Sequence, residues 1–213
     1  MDRTYSTRNG YYEEATKTSK TTKTLSQKGK EKMTIMTRKP AATFIHIPKS
    51  AGNSVRDWLL TNVATSKVMF KKSYMKDHAP YSYIKKAVQN VDHGLVFAIV
   101  RNPWDRVLSA YHYHRGKDRY GNDIDFDTFV KTHMRAANRP QREYVDDSVL
   151  ILKLENITED FKQIQEYFNV YKPLPIKNAS KHKHYTEYYT DETRKIVANR
   201  FNIDIETYKY KYE

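Results

Sequence analysis

Six consecutive apolar residues, Leu95–Val100, stop abruptly at Arg101-Asn102-Pro103. A run of that length without polar alternation has no solvent face, so as a strand it must be covered on both sides. Asn is a favoured helix cap and Pro is favoured at the first helical position, so the chain should enter a helix at once. Val107, Leu108 and Tyr111, with His114, then recur at helical spacing as that helix's inward face. The pattern appears twice more. Thr43–Ile47 is a short β-rich run stopped by Pro48, after which Val55, Trp58, Leu59 and Val63 fall at helical spacing. Val149–Leu154 reads as a third buried strand, followed by a helix marked by Phe161, Ile164, Tyr167 and Phe168. A last helix is expected from about Asp191 to Phe201. Buried strands alternating with helices imply an α/β protein, a three-layer α/β/α domain around a central parallel sheet.

The chain has 213 residues, enough for one such domain. Its formal charge of +13 is unevenly spread: residues 1–40 hold ten basic against four acidic side chains and twelve Ser or Thr. A segment of that composition cannot bury enough apolar surface to offset its ordering entropy. Residues 1–40 are therefore expected to be a basic arm, either a solvated leader or a tether for an acidic partner, and residues 41–213 the domain. The absence of cysteine excludes disulfides, thiolate metal sites and a Cys nucleophile. No apolar run approaches the roughly 20 residues of a membrane span, and no secretory leader is visible, so the expectation is a soluble, cytoplasmic protein.

Two strand ends carry chemistry. In open α/β sheets ligands bind beyond the carboxyl ends of the strands. After the first strand, Pro48-Lys49-Ser50-Ala51-Gly52-Asn53-Ser54 offers small residues that let backbone N–H groups approach an anion, ahead of a helix whose positive end points there. Lys49 and Ser54 add a charge and a hydroxyl. Lys49 precedes Gly52 and no Gly-Lys-Ser/Thr triplet occurs, so an ordinary NTPase loop is disfavoured. At the second strand end, Arg101 can grip a phosphate with its planar fork, or pair with Asp105; Ser109 lies on the helix that follows.

Together these two elements resemble the sulfotransferases that use 3′-phosphoadenosine 5′-phosphosulfate (PAPS), and in particular the branch of carbohydrate sulfotransferases with their bacterial and viral-type soluble relatives. The family's 5′-phosphosulfate loop looks like residues 48–54. Its 3′-phosphate element, Arg-Asn/Asp-Pro-x-x-Arg-x-x-Ser-x-Tyr, is matched by Arg101 through Tyr111 with the same Arg-to-Ser interval. Leu152–Asn156, Asn178–His182 and Asp204–Tyr208 look like that branch too, so the resemblance spans roughly residues 42–210. Asn53 stands where Thr is commoner, and the Trp that follows the loop in small-molecule sulfotransferases is absent. Trp58 lies further along and suits the core by its helical phase.

The resemblance implies a P-loop-NTPase-like sulfotransferase fold, PAPS as donor, adenosine 3′,5′-bisphosphate as product, no metal, and a hydroxyl-bearing acceptor, a glycan first. It also implies that Lys49 neutralises the leaving 5′-phosphate. The rest of the loop, Ser50, Ala51, Gly52, Asn53 and Ser54, would hold the phosphosulfate, and Arg101 and Ser109 the 3′-phosphate. Ser180 and Lys181 could reach a donor phosphate. Of eight histidines, His78 is the expected base, because Lys76-Asp77-His78-Ala79 resembles the family's His-Ala-Thr segment; its alternative is a turn residue paired with Asp77. His182 stands second. The competing class is a non-catalytic basic module that holds a nucleotide or, through its many tyrosines, nucleic acid; no recognised nucleic-acid motif occurs.

Overall fold

The computed structural model describes residues 34–64, 66–68, 78–134, 136–175 and 182–213. Ser180 and Lys181, with most of the arm, lie outside the described residues. The sheet is built from β1 (Ile35–Arg38), β2 (Ala41–Ile45), β3 (Lys67–Val68), β4 (Leu95–Val100) and β5 (Leu150–Lys153), in the spatial order β3-β1-β2-β4-β5. The expected parallel core is present as β2, β4 and β5. Beyond β2 the sheet continues antiparallel through β1 and β3, so it is mixed rather than wholly parallel.

β1 lies ahead of residue 41. Ile35 and Met36 are buried and pair across a two-residue turn with β2, within the stretch whose Ser/Thr/Lys-rich composition reads as an arm. Thr34 and Thr37, counted as arm-like polar residues, are buried beside them. A β-branched threonine fits a pleated surface as well as valine does, which composition alone conceals.

The helices are α1 (Gly52–Asn62), α2 (Tyr81–Ala87), α3 (Pro103–Tyr113), α4 (Phe126–Thr132), α5 (Ile157–Asp160), α6 (Lys162–Phe168), α7 (Asp191–Arg200) and α8 (Asn202–Tyr208). Alternate side chains of β4 go to opposite faces, as the pleat requires. Phe97 and Ile99 pack with Val55, Trp58 and Leu59 of α1 and Ile164 of α6. Val96, Ala98 and Val100 pack with Ile84 of α2 and Tyr208 of α8. These are the three layers. Trp58 is a core residue, and its indole N–H donates to the Lys172 carbonyl at 2.7 Å. A further apolar cluster ties α3 to α4 and α7 through Val107, Phe129 and Val197. Asn102 caps α3 through its side chain, with Pro103 opening the helix as the sequence predicts.

One ionic contact lies inside this frame. Arg106 of α3 and Asp204 of α8 are both essentially unexposed, with Nη1 3.8 Å from Oδ2. Arg106 also donates to the carbonyls of Pro48 (3.2 Å) and Arg139 (2.7 Å). Asp204 accepts from the backbone N–H groups of Gln141 (2.7 Å) and Arg142 (2.8 Å). Burial pushes the Asp204 carboxyl above its ordinary value, against the pull of those two amides and of Arg106. Removing one partner of such a pair strands the other charge, so Asp204→Ala should lower the unfolding free energy by about 3–5 kcal/mol in urea titrations. A loss under about 1 kcal/mol would mean that Arg106 is held by the carbonyls alone.

Candidate functional site

β2 and β4 are parallel neighbours, with Ile45 opposite Ala98, so their carboxyl ends open on the same edge of the sheet. The loop after β2 and the turn after β4 therefore lie side by side without any contribution from the rest of the chain. Lys49 (φ 68°) and Ala51 (φ 57°) both adopt the left-handed conformation, which costs non-glycine residues roughly 1–2 kcal/mol each. The bonds that hold this shape come from the neighbouring element. Arg106 binds the Pro48 carbonyl, Arg101 Nη1 donates to the Lys49 carbonyl (3.3 Å), and Ser50 Oγ donates to Gln141 Oε1 (3.3 Å).

α1 begins immediately after. Its cap residue, Ala51, brings no side-chain oxygen, and no acidic residue stands in the first turn. The positive end of α1 is thus not offset by a cap side chain or an acidic residue of its own first turn. Gly52 is dictated by a close approach: a Cβ there would fall 1.8 Å from the imidazole of His46, which lies directly beneath the first turn. His46 is buried, and its Nδ1 has no hydrogen-bond partner among the described residues. Burial first, then the nearby His78, Lys49 and Arg56, drive its pKa well below the ordinary value, which favours the neutral ring.

A cavity of about 700 Å³ opens over the loop, bordered by Lys49, Asn53, Ser54, His78, Arg101 and Ser109. A second, of about 620 Å³, is lined by Glu155, His182, Lys183 and Tyr185, and the two meet at Arg101 and Ser109. Among the described residues lining the larger cavity there are three Lys or Arg side chains and no carboxylate. Its far wall is apolar, formed by Leu154, Ile157, Phe161, Tyr171 and Leu174. The Oδ1 of Asn53, at the cavity edge, is buried without a hydrogen-bond partner among the described residues.

Lys49 Nζ sits 4.0 Å above the ring of Tyr113, a cation–π contact. Burial, and next the Arg101 guanidinium, lower the Lys49 ammonium to about 8. Arg101 is fixed by Asp105, which takes Nε at 2.8 Å and Nη2 at 2.9 Å. The pairing anticipated as an alternative to phosphate binding therefore exists, and it leaves the outer edge of the guanidinium on the cavity. His78 Nδ1 lies 3.4 Å from the His46 carbonyl. A carbonyl can only accept, so this contact favours the proton on Nδ1 and leaves Nε2 as the basic nitrogen. The two rings touch at 4.6 Å between centroids.

Most of the expected residues are thus brought together: Lys49, Ala51, Gly52, Asn53, Ser54, His78, Arg101 and Ser109 all border the larger cavity. Ser50 does not. It is buried, and its hydroxyl is turned inward to Gln141, because the left-handed residues on either side point it away from the cavity. His182 lines the smaller cavity, stacked face to face on His112 at 4.8 Å, and so lies apart from Lys49. Gln141 stands in no motif that sequence reasoning singled out; Glu155 and Asp204 lie in the Leu152–Asn156 and Asp204–Tyr208 stretches, but without an assigned role. Glu155 Oε1 accepts from the Asn102 N–H at 2.5 Å and steadies the turn after β4. Arg106 stood in the quoted motif, but nothing local marked it as buried.

Among the described residues no helix is long and apolar enough to cross a membrane, and no group of three or more His, Cys, Asp or Glu is placed to hold a metal ion. A family model described as a sulfotransferase domain matches residues 20–172 of the chain. No curated protein and no solved structure matches it significantly.

The depressed Lys49 has a consequence for stability. Its folded value near 8 lies below the ordinary 10.5, so the unfolded chain holds this proton more tightly. Keeping Lys49 charged costs stability below pH 8, and the cost fades as pH rises toward 10.5. Lys49→Met should therefore melt higher than the parent at pH 7, with the gap closing over that window. A variant that melts lower at pH 7 would show that the Tyr113 contact outweighs the burial of the charge.

Proposed function

The chain belongs to the sulfotransferase family, and we propose that it transfers the sulfuryl group of 3′-phosphoadenosine 5′-phosphosulfate to a hydroxyl of a carbohydrate. The observation that carries this reading is the convergence of the Lys49 loop and Arg101 on one cavity at the sheet edge with no carboxylate among its described lining residues. A donor with phosphates at both 5′ and 3′ positions needs two anion grips on one rigid frame. Lys49, the loop and the start of α1 serve the 5′ end; the free edge of Arg101 with Ser109 serves the 3′-phosphate. The apolar wall of Ile157, Phe161 and Leu174 suits a purine ring. The exposed rings of Tyr113 and Tyr171 at the same cavity offer flat apolar faces of the kind a sugar stacks on.

In the reaction the acceptor oxygen forms a bond to sulfur while the bond from sulfur to the 5′-phosphate oxygen breaks. Charge builds on that departing oxygen, and Lys49 with the helix N-terminus is aimed to stabilise it. The acceptor proton goes to Nε2 of His78, which shares the cavity with Lys49. The chemistry needs positioning and charge stabilisation more than bond-making by the protein, as in phosphoryl transfer.

The donor is tested by thermal stability with adenosine 3′,5′-bisphosphate against AMP and ATP. At about 100 times its dissociation constant the bisphosphate should stabilise the fold by about 2.7 kcal/mol, with smaller shifts from the others. Equal shifts from all three would refute the 3′-phosphate assignment. His78→Ala should leave bisphosphate binding intact and slow transfer about 10²–10⁴-fold. Full activity in that variant would remove His78 as the base.

A further inference from the structure

Gln141 is fully buried, and both polar atoms of its side chain reach the two anion-binding elements. Oε1 accepts from the backbone N–H of Arg101 (2.9 Å) and from Ser50 Oγ (3.3 Å), while Nε2 donates to the Arg101 carbonyl (2.8 Å). The ladder between β4 and β5 ends at Val100 opposite Lys153. One residue further on, the Gln141 amide supplies Arg101 with the donor and acceptor that a neighbouring strand would have supplied. The same oxygen reaches across to the loop after β2. Gln141 is itself held from behind, since its N–H donates to Asp204, which faces Arg106, which binds the Pro48 carbonyl. The circuit closes on the loop it started from.

We propose that Gln141 is a positioning residue that sets the separation between the Ser50 end of the loop and Arg101. It would thereby govern the preference for a nucleotide bearing phosphates at both 3′ and 5′ positions over one bearing the 5′-phosphate alone. The inference rests on the donor site proposed above. Two charged grips on one ligand add fully only when their spacing matches it; a slack spacing forfeits one. The head of Arg101 is already fixed by Asp105, so its backbone is the remaining freedom, and Gln141 removes it. A residue that served stability alone would weaken binding of both nucleotides equally when replaced.

The test is isothermal titration of adenosine 3′,5′-bisphosphate and of AMP into the parent, Gln141→Met and Ser50→Ala. Methionine matches the volume of glutamine but makes none of its bonds to Arg101 or Ser50. Loss of a well-aimed charge-assisted contact should cut the ratio of bisphosphate to AMP affinity about 10- to 100-fold in Gln141→Met. AMP affinity itself should move less than about threefold, since no 3′-phosphate contact is involved. Ser50→Ala cuts only the loop end of the bridge and should lower the ratio in the same direction by less. A parent ratio kept in both variants overturns the role of Gln141 and leaves the donor site standing. A parent protein with no preference for the bisphosphate overturns the donor site and this inference with it. Should Gln141→Met not fold, Ser50→Ala decides alone: an unchanged ratio overturns the proposal, a reduced one supports it.

Discussion

A guanidinium with almost no exposure must find partners within the fold, and the partners that Arg106 finds determine where the site can be. Its three contacts are the Pro48 carbonyl ahead of α1, the Arg139 carbonyl ahead of the 141–144 turn, and Asp204 in α8. Each belongs to a different element. Burying a charge pair is a weak source of stability, because desolvation offsets most of the attraction. Its effect here is geometric. The loop after β2 cannot shift relative to α3 without stranding a buried charge, so the distance between the Lys49 loop and Arg101 is set by the interior rather than by the surface.

That arrangement explains how the fold tolerates an unfavourable site. The loop holds two left-handed residues, the cavity concentrates cations without a carboxylate among its described lining, and Lys49 is buried enough to lower its pKa. Each feature is locally destabilising, and each suits the polyanionic donor proposed for the site. The compensation comes from outside the cavity, in the bonds from Arg106, Gln141 and Asp204 and in the packing of Gly52 on His46. Strain at the site and rigidity behind it are two sides of one design.

The strands that sequence reasoning recovers are those whose signal is local. Leu95–Val100 reads as buried because six apolar residues in a row admit no other placement, and Asn102-Pro103 announces the helix by cap chemistry alone. β1 escapes because its inward residues include threonines inside a Thr- and Lys-rich stretch, and only pairing with β2 shows that they are covered. The site divides in the same way. Lys49, Gly52 and Arg101 stand in motifs whose spacing carries meaning. Gln141 and Asp204 act through partners distant in sequence, and although Asp204 opens a quoted stretch, nothing local in Pro140-Gln141 or Ile203-Asp204 marks either as buried. Ser50 combines the two cases. Its place in the motif is legible, but the direction of its hydroxyl is decided by the backbone on either side.

The two anion grips also differ in kind, and the difference fits the chemistry. Of the five N–H groups of Arg101, Asp105 takes two and the Lys49 carbonyl a third, which leaves two without a partner among the described residues. Asp105 also offsets its charge, so this grip recognises shape and hydrogen-bond geometry more than it supplies net positive charge. Lys49 has no carboxylate within hydrogen-bonding distance among the described residues; its neighbour is the face of Tyr113, which attracts the cation without neutralising it. A 3′-phosphate keeps the same charge throughout sulfuryl transfer and needs only to be recognised. The 5′-phosphate oxygen gains charge as the sulfur departs, and only an unpaired cation can reward that gain in the transition state more than in the ground state. On the proposed reading, the neutralised arginine meets the phosphate whose charge is constant and the bare lysine the one where charge develops.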